Sequence, residues 1–365
     1  MLKRLYADNY RCLVNFETEF DWLTLLAGPN GGGKSTLTDL LFNIRRLLVD
    51  NVRVGDVFPS KDLTAWMSKS EQTFELDVQG DVGLFSYKLV VLHDGDGGKE
   101  RIGVERLSLD GKPLFELLEG ELRLCGDDRK GGAAYSFDGS LSALATLVPR
   151  RSHKKLAWFK KWLAGLLVLN LQPRSMTSES REESPWLDRE GTHFASWYRF
   201  FSQEYQDKIL ALTTQLGDSL PGFHAFKLQQ AGKHRILKVG FGGKNDASTL
   251  YFEFEQLSDG QRVMIVLYSI LLALQSSGCT VFLDEPENYV ALPEIQPWLM
   301  ELSDACGENL LQAVLVSHHP ELLDYLGPEY GLWIERDPLG PARVKRLSDR
   351  VHNGLKLSEG IARQQ

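Results

Sequence analysis

The chain has 365 residues, 41 Lys and Arg against 49 Asp and Glu, and a formal net charge of −8. Its 43% hydrophobic and 25% charged residues exclude a wholly disordered chain, and the length suits about two domains, or one large domain with an insertion. The longest apolar run, 263–274, is interrupted by Tyr268 and Ser269 and is too short to cross a bilayer, so no membrane partner is expected.

Residues 2–6 and 13–20 read as short strands around a polar link, and 22–27 as a buried strand. A glycine-rich turn follows, and then Leu37, Leu40, Leu41, Ile44 and Leu48 recur at helical spacing. From 73 to 148 apolar and polar residues alternate (Phe74, Leu76, Val78), with Gly and Asp turns such as Asp110-Gly111. This predicts a meandering antiparallel sheet, with 126–134 as a loop. Residues 153–169 predict a helix that carries Lys154, Lys155, Trp158, Lys160, Lys161 and Trp162. Residues 174–186 read as a loop, 194–216 as a helix, 225–256 as alternating strands and 257–275 as a helix. A buried strand at 279–283, a helix at 295–305 and a second buried strand at 311–316 follow. There is no internal repeat and no heptad run.

Four scattered cysteines, Cys12, Cys125, Cys279 and Cys306, form no C-x-x-C pair, which argues against a disulfide framework and a structural zinc site. The first eight residues hold charges and no apolar run, so no secretory signal is expected and the expected setting is the reducing cytoplasm. The acidic total argues against a chain that coats nucleic acid, and leaves room for a local basic groove.

Gly28-Pro29-Asn30-Gly31-Gly32-Gly33-Lys34-Ser35 fits G-x-x-x-x-G-K-[ST] at every position, with a strand before it and a helix after it. Glycines let successive backbone N–H groups wrap a phosphate, and the helix offers its positive end. Lys34 supplies a charge to the β- and γ-phosphates of ATP, and the Ser35 hydroxyl suits Mg²⁺. Asp284-Glu285 closes an apolar strand, where Asp284 suits a Mg²⁺ ligand and Glu285 a general base. Leu257-Ser258-Asp259-Gly260-Gln261-Arg262 precedes a long apolar helix. It reads as an N-cap, and such a cap bearing Ser and Gly is also an anion site.

These motifs stand in the order P-loop, L-S-x-G-Q, strand-Asp-Glu, then Ser317-His318, and in that order they resemble an ABC-type ATPase head. Leu257 to Gln261 resembles the ABC signature, with Asp259 where Gly is commoner, and Ser317-His318 resembles the switch histidine. Asn9-Tyr10-Arg11-Cys12-Leu13, Asp284-Glu285-Pro286-Glu287-Asn288 and Ser317 to Asp324 are similar to segments of SMC, RecF-like and OLD-family ATPases. Leu187 to Phe194 resembles a segment of OLD-like ATPases. The chain departs from these families at Ala291-Leu292-Pro293, where their His is absent. No Toprim nuclease segment, long coiled coil or zinc hook is visible.

The resemblance implies an α/β ABC-ATPase head, with a P-loop mixed sheet, an antiparallel β subdomain at about 73–148 and an inserted helical lobe. It implies one head over 1–365: residues 1–172 with 276–365 as the nucleotide-binding lobe, and 173–275 as the helical and signature lobe. It assigns ATP to Arg11, Asn30, Gly31, Gly32, Gly33, Lys34, Ser35, Thr36, Gln172, Ser258, Asp259, Gly260 and Gln261. It assigns Mg²⁺ to Ser35, Asp284 and Gln172, and catalysis to Glu285, His318 and Lys34. Gln172 also reads as an ordinary strand exit, and Arg11 as a surface charge; His319 carries no role. The Lys/Trp cluster has two readings, a nucleic-acid contact and an amphipathic helix with Trp inward and Lys outward. The implied function is an ATPase, working as a homodimer or higher homo-oligomer, that drives a separate effector, a nuclease or toxin, in anti-phage defence. A DNA-clamping repair head of RecF type is the alternative. A transporter subunit is disfavoured by size, by the D-E-P-E-N form and by the helical insertion.

Overall fold

The structure is a computed structural model that describes all residues except 95–98, 126–130, 151, 243–248, 276–278, 308–311, 351–356 and 359–365. The described residues form two compact units, Met1–Leu167 with Pro320–Gln365, and Val168–His319.

The first unit holds an eight-stranded antiparallel sheet. Its strand order is Phe16–Glu19, Leu2–Asp8, Glu71–Gly80, Gly83–Leu92, Arg101–Leu109, Lys112–Leu118, Glu121–Cys125, Gly131–Ser136. The alternation that predicts it is visible in the burial: Gln72, Phe74, Leu76 and Val78 point inward along one strand. Asp110-Gly111 and Glu119-Gly120 make two-residue hairpin turns with φ of 47° and 74°, and 50° and 79°. Such paired left-handed residues match the twist of the strands they join.

The same unit contains the strand Leu23–Ala27, buried at every residue as a parallel strand covered on both faces should be. It pairs in parallel with Gly331–Glu335, which pairs antiparallel with Arg343–Arg346. The helix Lys34–Leu48 follows, with Leu37, Leu40, Leu41 and Ile44 fully buried. The helix Lys154–Ala164 presses its aromatic face on the antiparallel sheet. Trp158 stacks on Phe85 at 4.8 Å and 7°, and the buried Phe159 ring lies 5.8 Å from Phe85, 6.0 Å from Tyr87 and 5.7 Å from Trp162. Lys160 donates to the carbonyls of Ala145 and Leu147. The aromatic half of the Lys/Trp cluster is therefore core, which is the amphipathic-helix reading.

In the second unit the strands Thr280–Asp284 and Gln312–Ser317 run parallel and are buried throughout, joined through the helix Leu292–Ala305. The helices Phe194–Glu204, Gln206–Ser219 and Asp259–Leu274 stand beside a smaller antiparallel sheet. In that sheet His234–Phe241 pairs with Phe223–Ala231, with Leu250–Glu253 and with Glu179–Ser180. The segment expected as a helical lobe thus carries a sheet as well.

Several local expectations change. The helix expected to run to 169 stops at Ala164, and Leu166–Leu169 is a strand; a short apolar run reads alike in either state. The helix expected at 194–216 is two helices, broken where Tyr205 takes φ −132° and ψ 61°. The strand expected at 13–20 is only Phe16–Glu19, because residues 10–13 close a tight turn, with Leu13 N–H donating to Tyr10 O at 2.7 Å. Of the loop expected at 126–134, residues 126–130 lie outside the described residues and 131–134 belong to a strand. Among the described residues no helix is long and apolar enough to cross a membrane.

Phe159→Ala should cost about 3–5 kcal/mol, because it leaves a cavity among three aromatic rings. A urea titration checks this as a lowered midpoint with unchanged slope.

Candidate functional site

The phosphate-loop sequence occupies the turn between Leu23–Ala27 and Lys34–Leu48 in the first unit. Gly28 passes so close to the neighbouring strand that a Cβ there would stand 2.0 Å from the Ile334 carbonyl oxygen. Gly33, just before the helix, has φ of 116° and is packed against Cys12 and Ala342. Both positions admit only glycine. The Lys34 ammonium is buried and donates to the carbonyls of Gly28 at 2.7 Å and Pro29 at 3.1 Å, within the curl of the loop. No acid stands in the first turn of the helix, so its positive end is uncompensated there. Asn30, Gly31 and Ser35 are exposed. This geometry suits a chain of phosphates.

Arg11 is held on the helix that follows this loop. Its guanidinium bonds Asp39 at 2.7 Å and Asp62 at 3.0 Å, and lies 5.2 Å from the Tyr10 ring centre.

The second unit assembles the acidic residues. Asp284 ends its strand in register with Val316 and is buried. Glu285 then turns aside with φ of 52°. Its N–H donates to Val316 O at 2.8 Å, and its Oε2 accepts from Asn288 at 2.7 Å. Its Oε1 lies 2.7 Å from His318 Nδ1. A carboxylate accepts, so that Nδ1 is the donor of this bond. A carboxylate aimed by a histidine and an amide is equipped to take a proton from water.

Gln172 reaches Asp284 through Asn170. Gln172 Nε2 donates to Asn170 Oδ1 at 2.7 Å, and Asn170 Nδ2 donates to Asp284 Oδ2 at 3.4 Å. Ser258 caps the helix Asp259–Leu274 in a reciprocal box with Gln261. Asp259 accepts from Arg262 at 2.6 Å and from Arg174 at 3.3 Å. Sequence reasoning missed Asn170, Tyr289, Arg262 and the buried bond from the Ser317 hydroxyl to Glu287. Arg262, Glu287 and Ser317 left a trace, as members of motifs.

Residues 181–324 match the family described as "AAA domain, putative AbiEii toxin, Type IV TA system". A stretch of 60 residues is 40% identical to the OLD nuclease of Thermus scotoductus, and covers 16% of this chain and 10% of that protein. The chain thus matches about a tenth of the length of that relative. Three solved structures share the fold. The SMC head domain from Thermotoga maritima matches with a TM-score of 0.50 and 11% identity, over 94% of this chain and 98% of that one. An SmcHead bound to the C-winged helix domain of ScpA matches with 0.58 and 11%, over 94% and 96%. An Smc head with an extended coiled coil, bound to the C-terminal domain of ScpA and derived from Pyrococcus furiosus, matches with 0.56 and 10%, over 100% and 98%. The fold is that of the SMC head domains.

One further group of this head has a measurable consequence. Glu287 is buried, and its Oε2 has no hydrogen-bond partner among the described residues. Burial pushes its carboxyl above the ordinary value of 4.5, against the Ser317 bond, which lowers it. A raised acid holds its proton more tightly in the folded chain, so its contribution to stability is complete below 4.5 and is lost as pH rises through the folded value. Glu287→Gln keeps the shape and the acceptor for Ser317. It should match the parent near about pH 4 and become progressively more stable than it toward about pH 8. Urea unfolding across that range checks this; parallel curves would refute it.

Proposed function

We propose that this head binds ATP with Mg²⁺ and hydrolyses it, and that ATP-dependent pairing of two copies gates a separate effector. The Glu285–His318 pair beside Asp284 carries the reading, because a strained carboxylate aimed by two partners is the part of such a site that a mere nucleotide binder does not need. The phosphate loop, whose backbone approach leaves no room for a side chain at Gly28, supports the nucleotide half.

In this reading Lys34 and the backbone from Asn30 to Thr36 hold the phosphates, and Glu285 Oε1 accepts a proton from the attacking water. His318 is assigned to the γ-phosphate by resemblance. Arg11 is assigned to the nucleotide by resemblance. Ser35, Asp284 and Gln172 would hold Mg²⁺; they are oxygen donors, which suits a hard cation that keeps waters and phosphate oxygens as its other ligands. Mg²⁺ would supply neutralisation of the phosphate charge. Ser258, Asp259, Gly260 and Gln261 would meet the ATP of the second copy, at a capped helix end suited to anions.

The short match to an OLD nuclease and the match to a toxin-related family favour an effector of nuclease or toxin type and a role in phage defence. Two of these SMC heads are bound to domains of ScpA, which supports a protein partner here too. The same likeness favours a second reading, a DNA-repair head. ATP turnover that rises several-fold with duplex DNA would select that second reading, and indifference to DNA the first.

Glu285→Gln should bind ATP and hydrolyse it roughly 10²–10⁴-fold more slowly, since the amide keeps the shape and cannot accept a proton. With Mg²⁺ and ATP it should collect as a dimer in size-exclusion chromatography; a nucleotide-loaded monomer at high concentration would overturn the pairing.

Lys34→Ala and Gly260→Asp should each be inactive alone. After mixing and exchange they should recover about a quarter of wild-type sites, because half the dimers are mixed and each mixed dimer has one intact site of two. Tagged heterodimers without any activity would count against shared sites.

A further inference from the structure

The second unit contains a line of hydrogen bonds that leads from the turn before the long helix to the carboxylate at the strand end. A Cβ on Gly260 would lie 2.7 Å from the carbonyl oxygen of Tyr289, so the turn rests directly on that residue's backbone. The Tyr289 hydroxyl donates to Gln172 Oε1 at 3.3 Å. Gln172 Nε2 donates to Asn170 Oδ1 at 2.7 Å, and Asn170 Nδ2 donates to Asp284 Oδ2 at 3.4 Å.

Every donor in this line points the same way, toward Asp284. The polarity has a chemical reason. The carboxylate can only accept, so Asn170 must present its NH₂ there and its carbonyl to Gln172. Gln172 must then present its NH₂ to Asn170 and its carbonyl to Tyr289. Bonds aligned head to tail polarise one another, and the run ends on the one charged member.

The turn is also fastened to the Gln172 segment by charge. Buried Arg262 donates to Pro173 O at 2.5 Å and to Asp259 at 2.6 Å, and Arg174 reaches the same Asp259 at 3.3 Å. Gly260 and residues 170–174 are therefore held as one piece.

We infer that Tyr289 is a positioning residue that ties the Gly260 turn to Asp284, so that occupation of one ATP site biases the metal ligand of the other. The inference rests on the head-ATPase reading, in which Gly260 belongs to the ATP held by the second copy and Asp284 to the ATP held by its own chain. In that reading Tyr289 is assigned to neither nucleotide nor metal. Its hydroxyl fixes the Gln172 amide, which fixes Asn170, which orients the carboxylate. A turn displaced by a γ-phosphate must carry Tyr289 with it, and coupling between the sites follows.

Tyr289→Phe in the full-length protein removes the hydroxyl and leaves the ring and the backbone against Gly260. The loss of one hydrogen bond should lower kcat by about 2- to 10-fold. The Mg²⁺ concentration for half-maximal turnover should rise by a similar factor. KM for ATP at saturating Mg²⁺ and the melting temperature should stay at their parent values. In a double-mutant cycle, Tyr289→Phe with Asn170→Ala should lose no more than the larger single loss, since both break the same line. Parent-like kcat and Mg²⁺ dependence in Tyr289→Phe would overturn the inference. So would a double mutant whose loss is the product of the singles, or a fall in melting temperature and kcat without a Mg²⁺ shift. A parent protein that does not hydrolyse ATP would overturn the head-ATPase reading itself; a turning-over parent with an unaltered Tyr289→Phe variant overturns the inference alone.

Discussion

Glu285 adopts a left-handed backbone, φ 52°, directly after a strand buried at all five residues. For a residue with a Cβ that conformation costs roughly 1–2 kcal/mol. The strand is covered throughout, so a carboxylate that continued in extended backbone would be driven into apolar surroundings. The turn is the way out, and it separates two adjacent acids. Asp284 keeps the register of the strand, while Glu285 swings toward His318 and Asn288. The neighbouring strand holds the strained peptide through Val316 O. The catalytic reading depends on this one turn, because without it the two carboxylates would have neither distinct surroundings nor distinct partners.

The parts of the site that could be read from sequence are those whose chemistry is contiguous. Residues 28–36 carry their own loop geometry in four glycines, a lysine and a serine. Asp284 to Asn288 announces itself because the apolar strand and the acids are adjacent. The expected N-cap before the long apolar helix is likewise local, and the structure places it at Ser258, boxed with Gln261. Asn170, Gln172 and Tyr289 are different: the bonds that define them join residues 114 and 117 positions apart. An Asn or a Tyr has no pattern of its own, so only the folded chain shows what it serves. The misread elements have a separate cause. Leu166–Leu169 is too short for periodicity to decide, and the break at Tyr205 lies inside a run whose helical spacing continues on both sides.

Charged side chains in both units are spent on fixing backbone as well as on ligands. Asp259, in a position where glycine is commoner in the resembling families, is the shared anchor of Arg174 and Arg262. Arg262 is buried, and an unpaired guanidinium at such depth would be costly. Lys160 closes the carbonyls of Ala145 and Leu147, and Arg11 is clamped between Asp39, on the helix after the phosphate loop, and Asp62. That clamp gives Arg11 a structural task beside the nucleotide contact that its motif suggests. The acidic total of the chain is thus compatible with many cations doing local work.

The contact between Gly28 and Ile334 bears on the order in which the protein becomes competent. The loop is shaped against a carbonyl that stands some three hundred positions later in the chain, on the strand Gly331–Glu335 that pairs with Leu23–Ala27. A ribosome therefore releases the phosphate loop long before the strand that backs it has been made. During synthesis, at roughly 5–20 residues per second, the nascent chain spends on the order of tens of seconds with this loop lacking the wall it is moulded on. The final curl of this loop is then among the last features that the chain acquires, long after the loop's own residues have been made.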